Sequence, residues 1–338
     1  MNQRIEYIDA MRGLAMMMVV ISHCCTWIFG NHPFFNLYIN HAIQIPLFFF
    51  ISGFFAPKLT NKPFYQVTTD KLIHLVIPAL LVLFIFCWIF QLNYLSILHE
   101  QLKGGYWFTL VLFVFIIIYI SIDKAIRFAG ISGLKANFVH IILGLVVSYS
   151  ALFFSKYAKT CSLINLFSVT EYFSYTYFVV GAVLFEHRDT VFKLQRNAIL
   201  SGLCILFYFL AQIATALYGT ESLQLGAGIF LLCMHTSSLL IIWQLFHRYP
   251  ALSTDSRIGR FLSLVGRRSL DIYFIHYFFL PDLHLWGNYL FSINAQFIEY
   301  LLAIMLAIPI TFISLGMGYI LRLSPVTARL LLGVKPSK

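Results

Sequence analysis

The sequence predicts an all-α, polytopic integral membrane protein with about ten transmembrane helices. Its 338 residues are 60% hydrophobic and only 11% charged, whereas soluble domains carry about 25% charged residues. Apolar stretches long enough to cross a bilayer, which takes about 20 residues, recur along the whole chain. Because so much apolar surface needs lipid as its surroundings, we expect membrane lipid to be a partner of this chain.

Ten apolar stretches form the predicted spans, and no long hydrophilic segment or internal repeat separates them. We therefore predict a single transmembrane domain over residues 1–338. Pro281 and Asp282 interrupt the ninth stretch. The stretches lie at about 8–28, 39–56, 72–91, 106–122, 137–154, 164–185, 197–217, 224–246, 269–290 and 297–321.

The distribution of basic residues supports this count. With a cytoplasmic N-terminus, all but three of the 23 Lys and Arg residues fall on the cytoplasmic side; the exceptions are Lys103, Lys156 and Lys159. This asymmetry follows the positive-inside rule, and it predicts that both termini are cytoplasmic. The formal net charge of +10 fits this topology better than nucleic-acid binding, so no nucleic-acid partner is expected.

The first apolar stretch, in MNQRIEYIDAMRGLAMMMVVISHCC, is framed by polar residues. A cleaved signal peptide is less expected than a retained helix, because Glu6 and Asp9 offset the basic residues and no small-residue cleavage pattern follows. Arg12 and His23 lie eleven residues apart. On an α-helix this spacing puts them on one face, about 16 Å apart along the axis. Asp9 lies one turn before Arg12 and can pair with it.

Ionisable residues within a membrane usually face a cavity or a partner. The shared face of Arg12 and His23 suits an elongated anionic ligand, with its charged end at Arg12 and its reactive end at His23. In the alternative interpretation, Asp9 and Arg12 anchor the helix end and His23 hydrogen-bonds a neighbouring helix. Both interpretations stay open for this motif alone.

Other segments place polar or aromatic residues at predicted helix ends. In DKLIHLVIP, Lys71 and His74 lie on adjoining turns at the cytoplasmic edge, where Lys71 alternatively extends its ammonium group to the surface. In IPLFFFISGFF, Ser52 beside Gly53 either lines a ligand site or forms a packing notch. Trp107 belongs either to an interfacial aromatic belt or to the wall of a site.

The segment GRRSLDIYFIH begins the predicted ninth helix. Arg267 and Arg268 precede the helix, and His276 enters the membrane from the same side as His23. That a buried histidine merely packs against a neighbouring helix is a weaker explanation for two such histidines than for one. The six cysteines have neither metal-ligand nor disulfide-framework spacing, and no metal is expected.

Together these segments resemble acyltransferase family 3, a family of integral membrane acyltransferases. The chain is similar to the group that includes fucose 4-O-acetylase-like enzymes and other bacterial surface-glycan O-acetyltransferases. The resemblance covers nearly the whole chain. It rests on YIDAMRGLAMMMVVISH, IPLFFFISGFF, DKLIHLVIP, GYWF, YFVVGAVLFEHR and GRRSLDIYFIH, in that order.

The resemblance implies transfer of an acyl group, most commonly acetyl, from cytoplasmic acyl-CoA to a hydroxyl of a glycan or lipid-linked saccharide. It also implies a multi-pass protein of the bacterial cytoplasmic membrane. Acetyl-CoA is then a co-substrate, and no permanently bound cofactor is expected. Arg12 resembles the family's essential arginine and His23 its proposed general base. Lys71 and His74 stand where relatives often carry an arginine pair, so Lys71 would act as a point charge.

The resulting hypothesis is direct acetyl transfer. His276 would orient His23, bind the acceptor or hold the thioester carbonyl; these alternatives stay open. The competing class is a transporter or flippase of a glycan or lipid precursor, although no pair of interrupted helices suggests inverted repeats. The sequence identifies neither the acceptor sugar nor the oligomeric state. The expected catalytic residues are His23, Arg12, Asp9 and His276, and the expected binding residues are Arg12, Lys71, His74, Arg267, Arg268, Ser52 and Trp107.

Overall fold

A computed structural model of the chain describes residues 6–155, 157, 161–187, 190, 198–218, 224–253 and 255–335. Over these ranges the structure consists of helices and connecting turns, without a strand. The all-α prediction is therefore confirmed.

The described α-helices vary from five to 26 residues in length. They are α1 (Glu6–His23), α2 (His41–Phe54), α3 (Phe64–Lys71), α4 (Ile77–Ile89), α5 (Tyr94–Leu98), α6 (Trp107–Phe128), α7 (Leu134–Ser155), α8 (Ser162–Leu166), α9 (Tyr175–Glu186), α10 (Ala198–Tyr218), α11 (Gln224–Arg248), α12 (Arg257–Arg267), α13 (Ser269–Ile275), α14 (His284–Ser292), α15 (Gln296–Leu321) and α16 (Pro325–Leu332).

Short π-helical segments extend or join several of these α-helices. A π-helix has one more residue per hydrogen-bonded turn than an α-helix; it is rare, and it occurs frequently at functional sites. The three π-helical segments in the described part of the chain are Cys24–Ile28, Asn36–Asn40 and Leu72–Val76.

Within the described residues, six helical segments are long and apolar enough to cross a membrane, and each corresponds to a predicted span. The chain is thus a polytopic membrane protein. Helices α10 and α11 correspond to the predicted seventh and eighth spans, and the total of ten spans stays a prediction. The six segments are Tyr7–Ile28, His41–Leu59, Phe64–Ile89, Trp107–Phe128, Leu134–Ser155 and Gln296–Leu321.

Three predicted spans differ from the observed helices. The third begins at Phe64, directly after Pro63 as N-cap, so Lys71 and His74 lie inside the helical segment rather than at its start. The sixth is divided between α8 and α9, because Ser168 adopts a left-handed conformation with φ of 50° that ends a right-handed helix. The ninth is divided before Pro281, between α13 and α14.

The chain divides into two compact units, each built from two separate stretches. The first contains Met1–Phe48 and Asp189–Tyr319, and the second contains Phe49–Arg188 and Ile320–Lys338. Neither unit is a continuous segment, and the single domain over residues 1–338 stays a prediction.

In the first unit, α1 and α12 cross with their backbones in contact. A Cβ atom on Gly13 would lie 1.9 Å from the carbonyl oxygen of Leu262, and one on Gly266 would lie 1.7 Å from that of Asp9. Only glycine allows such an approach, as in other closely packed membrane helices. The crossing brings the end of α12 against the turn of α1 that contains Asp9.

In the second unit, glycines play the same part between α2 and α9. A Cβ atom on Gly53 would lie 1.8 Å from the carbonyl oxygen of Phe178, and one on Gly181 would lie 2.0 Å from that of Phe50. The aromatic core lies beside this crossing, where the ring of Phe115 contacts several other rings. The region around Ser52 and Gly53 is therefore a close helix contact.

Candidate active site

Two histidines from sequence-distant helices meet in the first unit. Nδ1 of His23 lies 2.8 Å from Nε2 of His276, and the two rings are nearly parallel. The hydroxyl oxygen of Tyr277 lies 3.0 Å from Nε2 of His23. The structure thus joins two of the four expected catalytic residues through one direct hydrogen bond.

Both histidines stand where the helix geometry changes. Helix α1 ends at His23, and a π-helical segment begins at Cys24. Helix α13 ends at Ile275, and a 3₁₀ segment begins at His276. His276 is fully buried, while His23 is half-buried. A local change of helix type is common at functional sites because it redirects side chains that a regular helix would align.

The hydrogen-bond partners determine which nitrogen of each ring carries the proton. Nδ1 of His276 lies 2.8 Å from the carbonyl oxygen of Ile272, and a carbonyl only accepts, so Nδ1 of His276 donates. In neutral His276, Nε2 therefore accepts the hydrogen of Nδ1 in His23. The lone pair of neutral His23 then lies on Nε2, where Tyr277 donates its hydroxyl hydrogen.

The other expected catalytic residues lie nearer the start of α1. Asp9 is buried and Arg12 is half-buried. The α-helix is continuous from Glu6 to His23. Arg12 and His23 therefore lie on one face of it, as their spacing predicts. Arg12 thus lies about 16 Å from His23 along the helix axis.

Two expected binding residues, Arg267 and Arg268, come in sequence directly after the residue at which α12 crosses α1. Arg267 comes directly after Gly266, which contacts the backbone of Asp9, and its side chain is exposed. The guanidinium group of Arg268 lies 3.8 Å from the carboxylate of Asp271, and it lies over the ring of Tyr319. The basic residues of α12 and the polar end of α1 therefore belong to one region of the first unit.

The remaining expected binding residues belong to the second unit. Ser52 is half-buried beside the crossing at Gly53, which accords with the packing notch considered as an alternative. Trp107 begins α6, and its ring contacts those of Phe49 and Phe108. Lys71 ends α3, and His74 lies in the π-helical segment that follows it.

His74 contacts the C-terminal part of the chain. Its Nδ1 lies 2.9 Å from the carbonyl oxygen of Gly333, and its Nε2 lies 3.6 Å from the carboxylate of Asp70. The ammonium group of Lys335 also contacts Asp70, at 2.6 Å. Sequence analysis did not single out Asp70, Gly333 or Lys335, and their separation in sequence gave no signal of this contact.

Tyr277 is the site residue of the first unit that sequence analysis missed. It lies within the aromatic run YFIHYFF, in which a tyrosine is not distinguishable by sequence from the hydrophobic residues around it. Its position directly after His276 was the available signal. The structure adds the hydrogen bond to His23.

The sequence profile of a family described as "Acyltransferase domain" matches residues 5–316. The chain belongs to this family. The acyltransferase, whose described part contains six long apolar helices, is a membrane-bound enzyme, and the resemblance to acyltransferase family 3 is confirmed. No curated protein and no solved structure matches the acyltransferase significantly.

Proposed function

We propose that this acyltransferase moves an acetyl group from cytoplasmic acetyl-CoA to a hydroxyl of a cell-surface or lipid-linked glycan in the bacterial cytoplasmic membrane. His23 is the general base in this proposal. The observation that carries the assignment is the hydrogen-bond chain from the carbonyl of Ile272 through His276 to His23. It leaves the lone pair of His23 on Nε2.

A base is needed because a sugar hydroxyl is a weak nucleophile at neutral pH. The sugar hydroxyl takes the place of the Tyr277 hydroxyl at Nε2 of His23, and Nε2 accepts its proton as the sugar oxygen attacks the thioester carbonyl carbon. The carbon–sulfur bond then breaks, and the imidazolium returns the proton to the CoA thiolate, which restores neutral His23. General-base assistance contributes about 10²–10⁴-fold to the rate of such reactions.

His276 holds the base in its reactive tautomer. Its Nδ1 is committed to the carbonyl of Ile272, so its Nε2 accepts from His23 throughout the reaction. When His23 becomes positively charged, this hydrogen bond becomes charge-assisted and hence stronger. In this proposal His276 is a positioning residue, which is the first of the three roles that the sequence left open.

The basic residues at the other end of α1 suit the phosphates of the acyl donor. Arg12, Arg267 and Arg268 supply guanidinium groups, whose planar donors match phosphate oxygens. Asp9 supports this group from the buried turn before Arg12. The interval of about 16 Å between Arg12 and His23 is bridged by the pantetheine arm, which presents the thioester to Nε2.

The decisive experiment uses the purified full chain in nanodiscs, with acetyl-CoA and surface glycan or lipid-linked saccharide from cells that lack the protein. Mass spectrometry of the glycan is expected to show one added acetyl group. His23→Ala is expected to reduce the transfer rate by about 10²–10⁴-fold, whereas His99→Ala, at an exposed histidine, is the matched control and keeps the wild-type rate.

Two outcomes would contradict the proposal. A folded His23→Ala enzyme that acetylates at the wild-type rate would show that His23 is not the base. Movement of the lipid-linked saccharide across the membrane without any acetyl addition would instead favour a flippase.

A further inference from the structure

An exposed tryptophan lies beside the histidine pair of the first unit. Trp27 belongs to the π-helical segment that follows α1, one helical turn beyond His23, or about 5 Å along the axis. Its ring makes a T-shaped contact with the ring of Tyr277, with the two centroids 5.4 Å apart. The ring of His23 contacts the same tyrosine at 4.8 Å. Trp27 and His23 therefore lie on the same side of this helical segment.

The exposure of Trp27 contrasts with the burial of the tyrosine that it contacts. Tyr277 is 3% exposed, whereas Trp27 is 41% exposed. The hydroxyl of Tyr277 donates to Nε2 of His23, the nitrogen that accepts the proton in the proposed mechanism. A molecule that takes the place of this hydroxyl at Nε2 therefore lies about one helical turn from an open indole surface.

A tryptophan at the end of a membrane span also suits an interfacial aromatic belt. Trp27 lies near the end of the first long apolar helix, on the predicted external side, and Trp88 lies in the same way near the end of the third. Trp88 is 70% exposed. Trp27 also contacts the ring of Tyr277, and this contact favours a role in the site over a role in the belt alone.

We propose that Trp27 is the surface on which one sugar ring of the acceptor stacks, so that a hydroxyl of this sugar reaches Nε2 of His23. The inference rests on the proposed function, because it takes the acceptor to be a saccharide. The C–H bonds on one face of a pyranose are weakly positive, and the face of an indole ring is the negative part of its quadrupole. Stacking uses this apolar face of the sugar and leaves the hydroxyls at its rim free to meet Nε2.

The test measures initial rates of the full chain in nanodiscs, with acetyl-CoA and the lipid-linked saccharide extracted from cells that lack the protein. Each substrate is varied in turn, which gives a separate KM for the saccharide and for acetyl-CoA. Trp27→Ala is expected to raise the KM for the saccharide about tenfold, the upper end of what one aromatic ring contact contributes. The kcat and the KM for acetyl-CoA are expected to change by less than about twofold, because the lost contact binds the ground state and the transition state equally.

Two further substitutions separate stacking from packing. Trp27→Phe keeps an aromatic face and is expected to recover part of the affinity for the saccharide. Trp27→Leu keeps apolar bulk against Tyr277 but has no aromatic face, and it is expected to resemble Trp27→Ala. Trp88→Ala is the matched control for a tryptophan of the interfacial belt, and it is expected to leave both KM values unchanged.

Three results would overturn the inference. One is a wild-type KM for the saccharide in Trp27→Ala. Another is full recovery in Trp27→Leu, which would show that bulk against Tyr277 is sufficient. The third is a fall in kcat with an unchanged KM for the saccharide, which would show that Trp27 only holds Tyr277 and His23 in place.

Calorimetric binding of the same saccharide without acetyl-CoA keeps this inference separate from the proposed function, because it needs no turnover. Saccharide binding that Trp27→Ala weakens, in a protein that transfers no acetyl group, would support the inference while contradicting the proposed function. Acetyl transfer by a protein whose saccharide binding is unaffected by Trp27→Ala would support the proposed function and overturn the inference.

Discussion

At the scale of single residues, the backbone carbonyl of Ile272 determines, through His276, which nitrogen of neutral His23 has the lone pair. In many hydrolases a carboxylate orients the catalytic histidine. In the proposed mechanism a second histidine, His276, takes the place of that carboxylate, and a main-chain oxygen holds its orientation. The pair carries no permanent negative charge, which suits a buried site because an uncompensated buried charge is costly.

Substitution of His276 tests this arrangement. His276→Ala is expected to lower kcat about 10²-fold, because a small displacement of a catalytic group has an effect of that size. His276→Gln is expected to recover part of the loss, since its side-chain oxygen can accept from Nδ1 of His23. Steady-state rates of the two variants measure the difference, and equal loss in both would argue for a packing role alone.

At the scale of elements, Lys103 links the segment between α5 and α6 to α8 and to the residue Ser168 that follows it. Its ammonium group donates to the carbonyl oxygens of Glu100 and Asn165 and to the hydroxyl of Ser168. Sequence analysis placed Lys103 on the side opposite to most basic residues, and the structure shows it to be buried. The lysine is therefore a local structural link.

This link predicts a pH dependence of stability. Burial lowers the pKa of Lys103 from 10.5 to about 8, so between these values the unfolded chain binds more protons than the folded one. The free energy of unfolding therefore gains a contribution that rises with pH in this window and is flat below it. The midpoint of thermal unfolding of the wild type, relative to Lys103→Met, is expected to rise from pH 8 to 10. A constant or falling difference would contradict this prediction.

At the scale of the whole molecule, the positive-inside pattern predicts the orientation in the membrane. Residue 99 lies in a predicted external loop and residue 135 in a predicted cytoplasmic loop, and both are exposed. In a cysteine-free background, His99→Cys is expected to react with a membrane-impermeant maleimide on intact cells, and Lys135→Cys only after lysis. The opposite labelling would show that the chain is inverted.

The fold class was predictable from the sequence because the need for lipid is a matter of composition and segment length. The alignment of Arg12 and His23 was predictable because it depends only on the period of an α-helix. The approach of His276 to His23 and of Lys335 to Asp70 was not, because contacts between distant segments depend on how the helices pack. The break at Ser168 was missed because a left-handed serine has no distinctive local sequence.

The π-helical segment Cys24–Ile28 has a consequence for insertions and deletions in this chain. Its extra residue per turn shifts everything after it by about 100° around the helix axis compared with an uninterrupted α-helix. Deleting one residue there would leave His23 beside His276 but turn Asn31 away from Glu299, which it contacts at 3.2 Å. The contact of His23 with His276 and the contact of Asn31 with Glu299 thus depend on two different rotations about the helix axis.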